Sequence, residues 1–294
     1  MKRIKKLALA LAIVFSICTI ASTLQMTTPF TEQVEAKTKS ESVQFFKGQK
    51  MGYEAIIGKF SKVTSSNKKI VTVTGKTSTK FYLVGKKPGK ATVTVKFKSG
   101  QKQKIYVTIG DPKKVKVSYV SRSVTNHKVF FKITNKSGID ISSATVKCIL
   151  RDNTGKEQSS GRIYENDYLL NGKSSIHGVY YYGNYPAPVL SKSTVAIEKL
   201  NPLTNKTVKL KKSKHYTYST KNTSSGVKVK LKNKIGKSII CRIDVKFYKN
   251  GELIGTNNTC AYVNSKKSYS TDVSSYGADF DKATVTVTSF YKEY

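Results

Sequence analysis

Residues 227–254 constrain the fold more than any other stretch. Across Val227, Lys228, Val229, Lys230, Leu231 and Lys232, apolar and charged residues alternate with the period of a half-buried strand. Asn233-Lys234-Ile235-Gly236 then reads as a turn. Beyond it, Cys241, Ile243, Val245 and Phe247 alternate with Arg242, Asp244 and Lys246. Asn250-Gly251 sits between two apolar runs and predicts a two-residue type I′ hairpin. A chain organised this way builds antiparallel sheets.

A weaker copy lies at residues 129–156. Asn135-Lys136-Ser137-Gly138 aligns with Asn233-Lys234-Ile235-Gly236, and Val146, Cys148 and Leu150 align with Ile243, Val245 and Phe247. Leu169-Leu170-Asn171-Gly172-Lys173 aligns with Tyr262-Val263-Asn264-Ser265-Lys266. The tails Val195-Ala196-Ile197 and Val285-Thr286-Val287 also match. An internal repeat marks two copies of one structural unit. Linkers at Asp111-Pro112-Lys113-Lys114 and Asn201-Pro202-Leu203-Thr204-Asn205 place these units at about 113–200 and 208–294. Upstream, Ala91, Val93, Val95 and Phe97 alternate with Thr92, Thr94 and Lys96, which marks a first module at 38–110. No stretch has helical periodicity, so the expected class is all-β, with three tandem β-sandwich modules behind a leader.

Two family resemblances sharpen this. Ser65-Ser66-Asn67 before the short Ile70-Val71-Thr72-Val73 strand, with Pro88-Gly89-Lys90-Ala91-Thr92-Val93-Thr94-Val95 after it, resembles the bacterial Ig-like domain of group 2. Val63 and Thr64 stand where that family usually has an aromatic. The later repeats are similar to the FxLYD-type domain, on the Asn-x-x-Gly turn and on Val245-Lys246-Phe247-Tyr248-Lys249-Asn250-Gly251-Glu252-Leu253-Ile254; Lys249 replaces the usual acid. The first resemblance implies a β-sandwich of secreted and surface proteins, serving as spacer, adhesive or carbohydrate-associated module; the second implies a small β-sandwich of bacterial secreted proteins and speaks to location more than activity.

The first residues fit a secretory signal. Lys2, Arg3, Lys5 and Lys6 precede an apolar run from residue 7 to 20, too short for a confident membrane span. Val34-Glu35-Ala36 offers a small residue for cleavage between Ala36 and Lys37, and Thr19-Ile20-Ala21 is a second candidate. The resulting expectation is a signal peptide over 1–36 and a secreted, extracellular mature form without membrane anchor, associated with a cell wall by non-covalent contacts.

Charge narrows the partners. The formal net charge is +36, from 53 Lys and Arg against 17 Asp and Glu. After the leader the Arg are Arg122, Arg151, Arg162 and Arg242; the rest of the positive charge is Lys. Lys is a mobile hydrated point charge, whereas Arg makes the planar bidentate contacts that read bases. The expected partners are therefore anionic wall polymers such as teichoic acids, or other polyanions, without sequence-specific nucleic-acid readout.

Chemistry-bearing residues are sparse. His127, His177 and His215 stand in no metal-ligand spacing, and Glu165, Asp167, Asp272, Asp279 and Asp281 are the nearest approach to an acidic cluster. We expect no enzyme, metal or cofactor. Cys148 falls on an apolar strand position and reads as a core residue. If Asn250-Gly251 closes a two-residue hairpin, Lys249 pairs with Glu252, and counting back in step sets Cys241 opposite Cys260. At a separation of about 5.5 Å a disulfide would form, worth about 3 kcal/mol, unless a bulge shifts the register. The segment Val179-Tyr180-Tyr181-Tyr182-Gly183-Asn184-Tyr185-Pro186 must turn some rings outward. Tyr180, Tyr182 and Tyr185 are thus candidates for stacking on glycans, the alternative role of a carbohydrate- or host-surface-binding adhesin.

Overall fold

The computed structural model describes residues 30–34, 40–55, 58–123, 126–181 and 186–293, the first of these segments as backbone alone. Among them the chain is all-β, without α-helix and with single 3-10 turns at Pro112–Lys114 and Leu190–Lys192. The expected cleavage point at Ala36 and Lys37, and Tyr182 and Tyr185, lie outside the described residues.

The first sandwich is built from β1 (Phe30–Val34), β2 (Glu41–Phe46), β3 (Lys50–Ala55), β4 (Phe60–Ser65), β5 (Val71–Thr74), β6 (Lys80–Gly85), β7 (Gly89–Phe97) and β8 (Lys102–Gly110). One sheet runs β1-β3-β6-β5 and the other β2-β8-β7-β4. The alternating residues Ala91, Val93, Val95 and Phe97 meet Tyr53, Phe81 and Leu83 of the facing sheet in one core. β1 pairs parallel to β3, Phe30 opposite Met51 through Val34 opposite Ala55. That strand lies upstream of Ala36, inside the segment read as leader.

The second sandwich follows with β9 (Val115–Ser123), β10 (Lys128–Asn135), β11 (Ile141–Arg151), β12 (Glu157–Glu165), β13 (Ser174–Tyr180) and β14 (Thr194–Pro202), in sheets β13-β10-β9 and β12-β11-β14. The third comprises β15 (Thr207–Lys209), β16 (Tyr216–Thr223), β17 (Gly226–Asn233), β18 (Ile239–Lys249), β19 (Glu252–Val263), β20 (Ser268–Ser274) and β21 (Lys282–Lys292), in sheets β16-β17-β20 and β15-β21-β18-β19. Each has its own apolar core.

The repeat is structural down to one side chain. The buried Asn135 amide donates to the carbonyls of Ile139 and Leu169, and Asn233 does the same to Lys237, Val263 and Asn264. These bonds equate Leu169 with Val263 or Asn264, and the backbone selects Val263, since Asn135 N donates to Lys173 O and Asn233 N to Lys267 O. The equivalence at this loop is therefore one residue further on than the sequence alignment placed it.

The hairpin turn forms as expected, with φ +49° at Asn250 and +79° at Gly251. The disulfide does not. Lys249 pairs with Glu252 and Tyr248 with Leu253, but Phe247 pairs with Gly255, so Ile254 is an extra residue in the strand. This bulge moves every later pair by one: Cys260 faces Arg242, and Cys241 faces Ala261. Adjacent strand positions point to opposite faces. Cys241 therefore enters the core, 3.4 Å from Ser289 Oγ, while Cys260 turns outward and donates to the Asp167 carbonyl at 3.4 Å. Both are free thiols, as is the buried Cys148.

Candidate functional site

Of the sequence-selected acids, the structure places Glu165 and Asp167 in one cluster, Asp279 and Asp281 at the Lys249-Asn250 turn, and Asp272 apart from both. Glu165, at the end of β12, is fully buried. Its Oε1 accepts from Arg242 Nη1 at 2.7 Å and from the Asp167 N–H at 3.0 Å; its Oε2 accepts from Arg242 Nη2 at 2.9 Å and lies 3.2 Å from His177 Nε2. Arg242 comes from β18 of the next sandwich. It also bonds the Asp244 carboxylate and the Asp167 carbonyl, and only 2% of it is exposed. Burial alone would raise the Glu165 pKa, but the His177 hydrogen bond and the Arg242 charge outweigh it and hold the carboxyl well below its usual range. Burial likewise opposes the Arg242 charge, and Asp244 and Glu165 overcome that and strengthen it. Both oxygens of Glu165 are thus occupied by donors from its own sandwich and the next, so the cluster ties the two together. It is a joint.

Apolar contacts complete the joint. Ile240, Arg242, Cys260 and Phe290 stand on the outer face of the β15-β21-β18-β19 sheet, which a lone sandwich would show to water. Here Ile240 and Phe290 pack with Leu170 and Leu203. Towards the first sandwich, Phe46 of β2 joins the core of the second, and Asp111 N donates to Ser137 O at 2.8 Å. The linker between the later sandwiches returns to the first: Gln44 N donates to Thr204 O at 2.8 Å and Gln44 Nε2 to Asn205 O at 3.1 Å.

The remaining acids play local parts. Asp279 takes Lys249 at 2.8 Å, Asp281 caps the hairpin turn by accepting from Asn250 N, and Asp272 lies opposite Lys228. Among the described residues no three His, Cys, Asp or Glu side chains converge as a metal site. Of the tyrosines, Tyr180 is 59% exposed, but the Lys128 ammonium covers one ring face at 4.4 Å. Tyr181 is buried, and its hydroxyl reaches the Ser123 carbonyl at 3.4 Å.

The joint covers one outer face of the third sandwich and leaves the opposite sheet, β16-β17-β20, facing solvent. Residues directly opposite one another in antiparallel strands share a face. Thr217, Lys232 and Ser268 make one row, Ser219, Lys230 and Ser270 the next, and Lys221, Lys228 and Asp272 the third. The middle column is thus lysine, flanked in two rows by hydroxyls. Lys228, Lys230 and Lys232 are exposed, and among the described residues their side chains have no ion-pair or hydrogen-bond partner. Around Lys230 and Lys232 the sheet carries a shallow depression of about 540 Å³, also bordered by Thr217, Ser219, Ser268 and Ser270, with Tyr218, Leu231 and Tyr269 between these rows. A second lysine-bearing face lies on the first sandwich, where Lys62 opposes Lys96 and Lys96 opposes Lys102.

Net charge and the Lys-to-Arg ratio point to polyanions but do not reveal this arrangement. A signal was present: between Glu198 and Asp244 the sequence has no acid and twelve Lys. What it lacked was the pairing that lays Ser268 and Ser270 beside Lys232 and Lys230. No family model matches the chain, and no curated protein matches it.

Proposed function

We propose that this chain is a secreted, non-catalytic protein of the extracellular space or cell wall, which associates through its lysines with anionic polymers. The observation that carries this reading is the presence of exposed, unpaired lysine faces on sandwiches joined by buried contacts. A stiff scaffold holds its charges at fixed spacing, so a polyanion meets a prearranged surface and releases its counterions there. The signal-like leader and the resemblances to group 2 bacterial Ig-like and FxLYD-type domains agree with that location. Among the described residues Glu165, Asp279 and Asp281 are each engaged by basic side chains or backbone N–H groups, which supports the non-catalytic reading.

The test is a pull-down of the purified mature protein on cell walls with and without their anionic polymer, across a salt series. Retention on intact walls, release by moderate salt and loss on stripped walls are expected. Retention that ignores both salt and polymer would overturn the reading. A second reading rests on the exposed Tyr180 ring as part of a glycan-stacking segment with Tyr182 and Tyr185. It requires binding that survives salt and fails in Tyr180→Ala.

A further inference from the structure

We infer that the outer face of β16-β17-β20 is a track for one extended polyol-phosphate chain, lying along β17 with its phosphates on Lys230 and Lys232. This rests on the polyanion reading above and names its main site and ligand chemistry.

The spacing comes first. Alternate residues of a strand lie about 6.8 Å apart, so β17 presents a straight ladder of ammonium groups at that interval. A chain with one phosphate per small polyol unit offers charges at a comparable repeat and is flexible enough to adjust. The flanks come second. Ser219 and Ser270 border Lys230, and Thr217 and Ser268 border Lys232. Each ammonium is thus framed by hydroxyls that can donate to phosphate oxygens or accept from polyol hydroxyls. Such a frame fits a ligand that alternates phosphate and polyol.

The face also excludes other ligands. Tyr218 and Tyr269 both pair with Leu231, a core residue, so they belong to the opposite side of the sheet. With these two rings directed away from the lysine column, the column itself presents no stacking platform for bases, which disfavours single-stranded nucleic acid. Lys in place of Arg suits a point-charge contact to phosphate. Asp272 beside Lys228 ends the positive column, so the track points away from the Gly226 end of β17 and towards the Asn233 end. There it runs into further exposed lysines, Lys214, Lys234, Lys266 and Lys267, with no carboxylate among them.

The repeat shows that the fold does not require this column. At the positions of Lys228, Lys230 and Lys232, the second sandwich carries Phe130, Lys132 and Thr134, and Phe130 is fully buried. The same architecture therefore stands with one lysine there. The full column is particular to the copy whose sheet faces solvent.

The experiment measures binding of the full mature chain to poly(glycerol phosphate) over a salt series, with single-stranded poly(dT) and poly-glutamate as comparison polymers. Wild type is compared with Lys230→Gln/Lys232→Gln, with Lys230→Arg/Lys232→Arg, and with the charge-matched Lys96→Gln/Lys102→Gln on the first sandwich; thermal unfolding confirms that each is folded. The Gln pair on β17 should weaken poly(glycerol phosphate) binding about tenfold at low salt and reduce the slope of log K against log salt by about 1.4. The Arg pair should retain both, and the Lys96/Lys102 pair should cost about threefold or less. Equal losses from the two Gln pairs would overturn the track and leave the general polyanion reading standing. Tighter binding of poly(dT), with the larger loss there, would overturn the ligand assignment. Failure of wild type to bind any of the polymers at low salt would overturn the track and the polyanion reading together.

Discussion

Replacing Arg242 by Met would strand Glu165. The carboxyl is fully buried, and both of its oxygens receive an Arg242 N–H, at 2.7 and 2.9 Å. Met fills most of the volume but leaves a buried anion with His177 and the Asp167 N–H as its remaining donors. Removing one partner of a buried ion pair costs about 3–5 kcal/mol, mostly the desolvation of the survivor. Replacing both partners by apolar groups removes the stranded charge as well, so Glu165→Leu/Arg242→Met should recover at least about 2 kcal/mol relative to the sum of the single variants. Urea unfolding of wild type, both single variants and the double variant measures this coupling. The pH dependence provides a second signature. In wild type the Glu165 pKa is depressed, so its contribution is present above the ordinary carboxylate range, about pH 4.3, and is lost as the pH falls below it. In Arg242→Met the same carboxyl is buried without its cation and its pKa rises, so acid protonates it and relieves the strain. The variant's deficit should therefore be smaller at pH 4 than at pH 7. Additivity within about 0.5 kcal/mol, together with a deficit that does not change with pH, would refute the assignment of this pair as the joint.

Thiol titration of the secreted, denatured protein should find Cys148, Cys241 and Cys260 all reactive; a mass lower by two hydrogens would instead restore the bridge. In the folded protein burial pushes the Cys148 thiol up to about 11, so it should resist alkylation at neutral pH until the protein is unfolded. Gly226→Ala should destabilise the third sandwich by at least about 2 kcal/mol, because φ is +153° and an added Cβ would lie 2.1 Å from the Val273 carbonyl oxygen; urea denaturation showing no loss would contradict that geometry. N-terminal sequencing should find a mature chain beginning before Phe30, as cleavage after Ala21 would give, since the β1–β3 pairing survives only then. A start at Lys37 would remove β1 from the sheet.

Strand positions and the Asn250-Gly251 turn were legible in the sequence because alternation and turn chemistry are local. The bulge was not, although Leu253 and Ile254 carried a trace of it. Two adjacent apolar residues, both buried, break strict alternation, and one of them has to be the extra residue. Reading past that pair in step cost the disulfide. The joint was hidden for a different reason. Ile240 and Arg242 occupy outward positions, and outwardness along a strand says nothing about what another sandwich lays over it. Glu165 and Arg242 are 77 residues apart, and no local pattern links them. The lysine column was half visible: the period-2 lysines of β17 are written in the sequence, while their hydroxyl neighbours come from strands that only the fold brings alongside.

The return of the Thr204 and Asn205 carbonyls to Gln44 has a consequence for how the chain can be divided. The segment between the second and third sandwiches is held by the first, so the connector is also a fastener, and no cut separates one sandwich cleanly from the others. Excising the first would expose Phe46's place in the neighbouring core and leave the Thr204 carbonyl without its donor. Three modules strung as independent beads would melt one by one and could be shuffled in order. Interlocked in this way, they inherit one another's stability, and the working unit is the whole array.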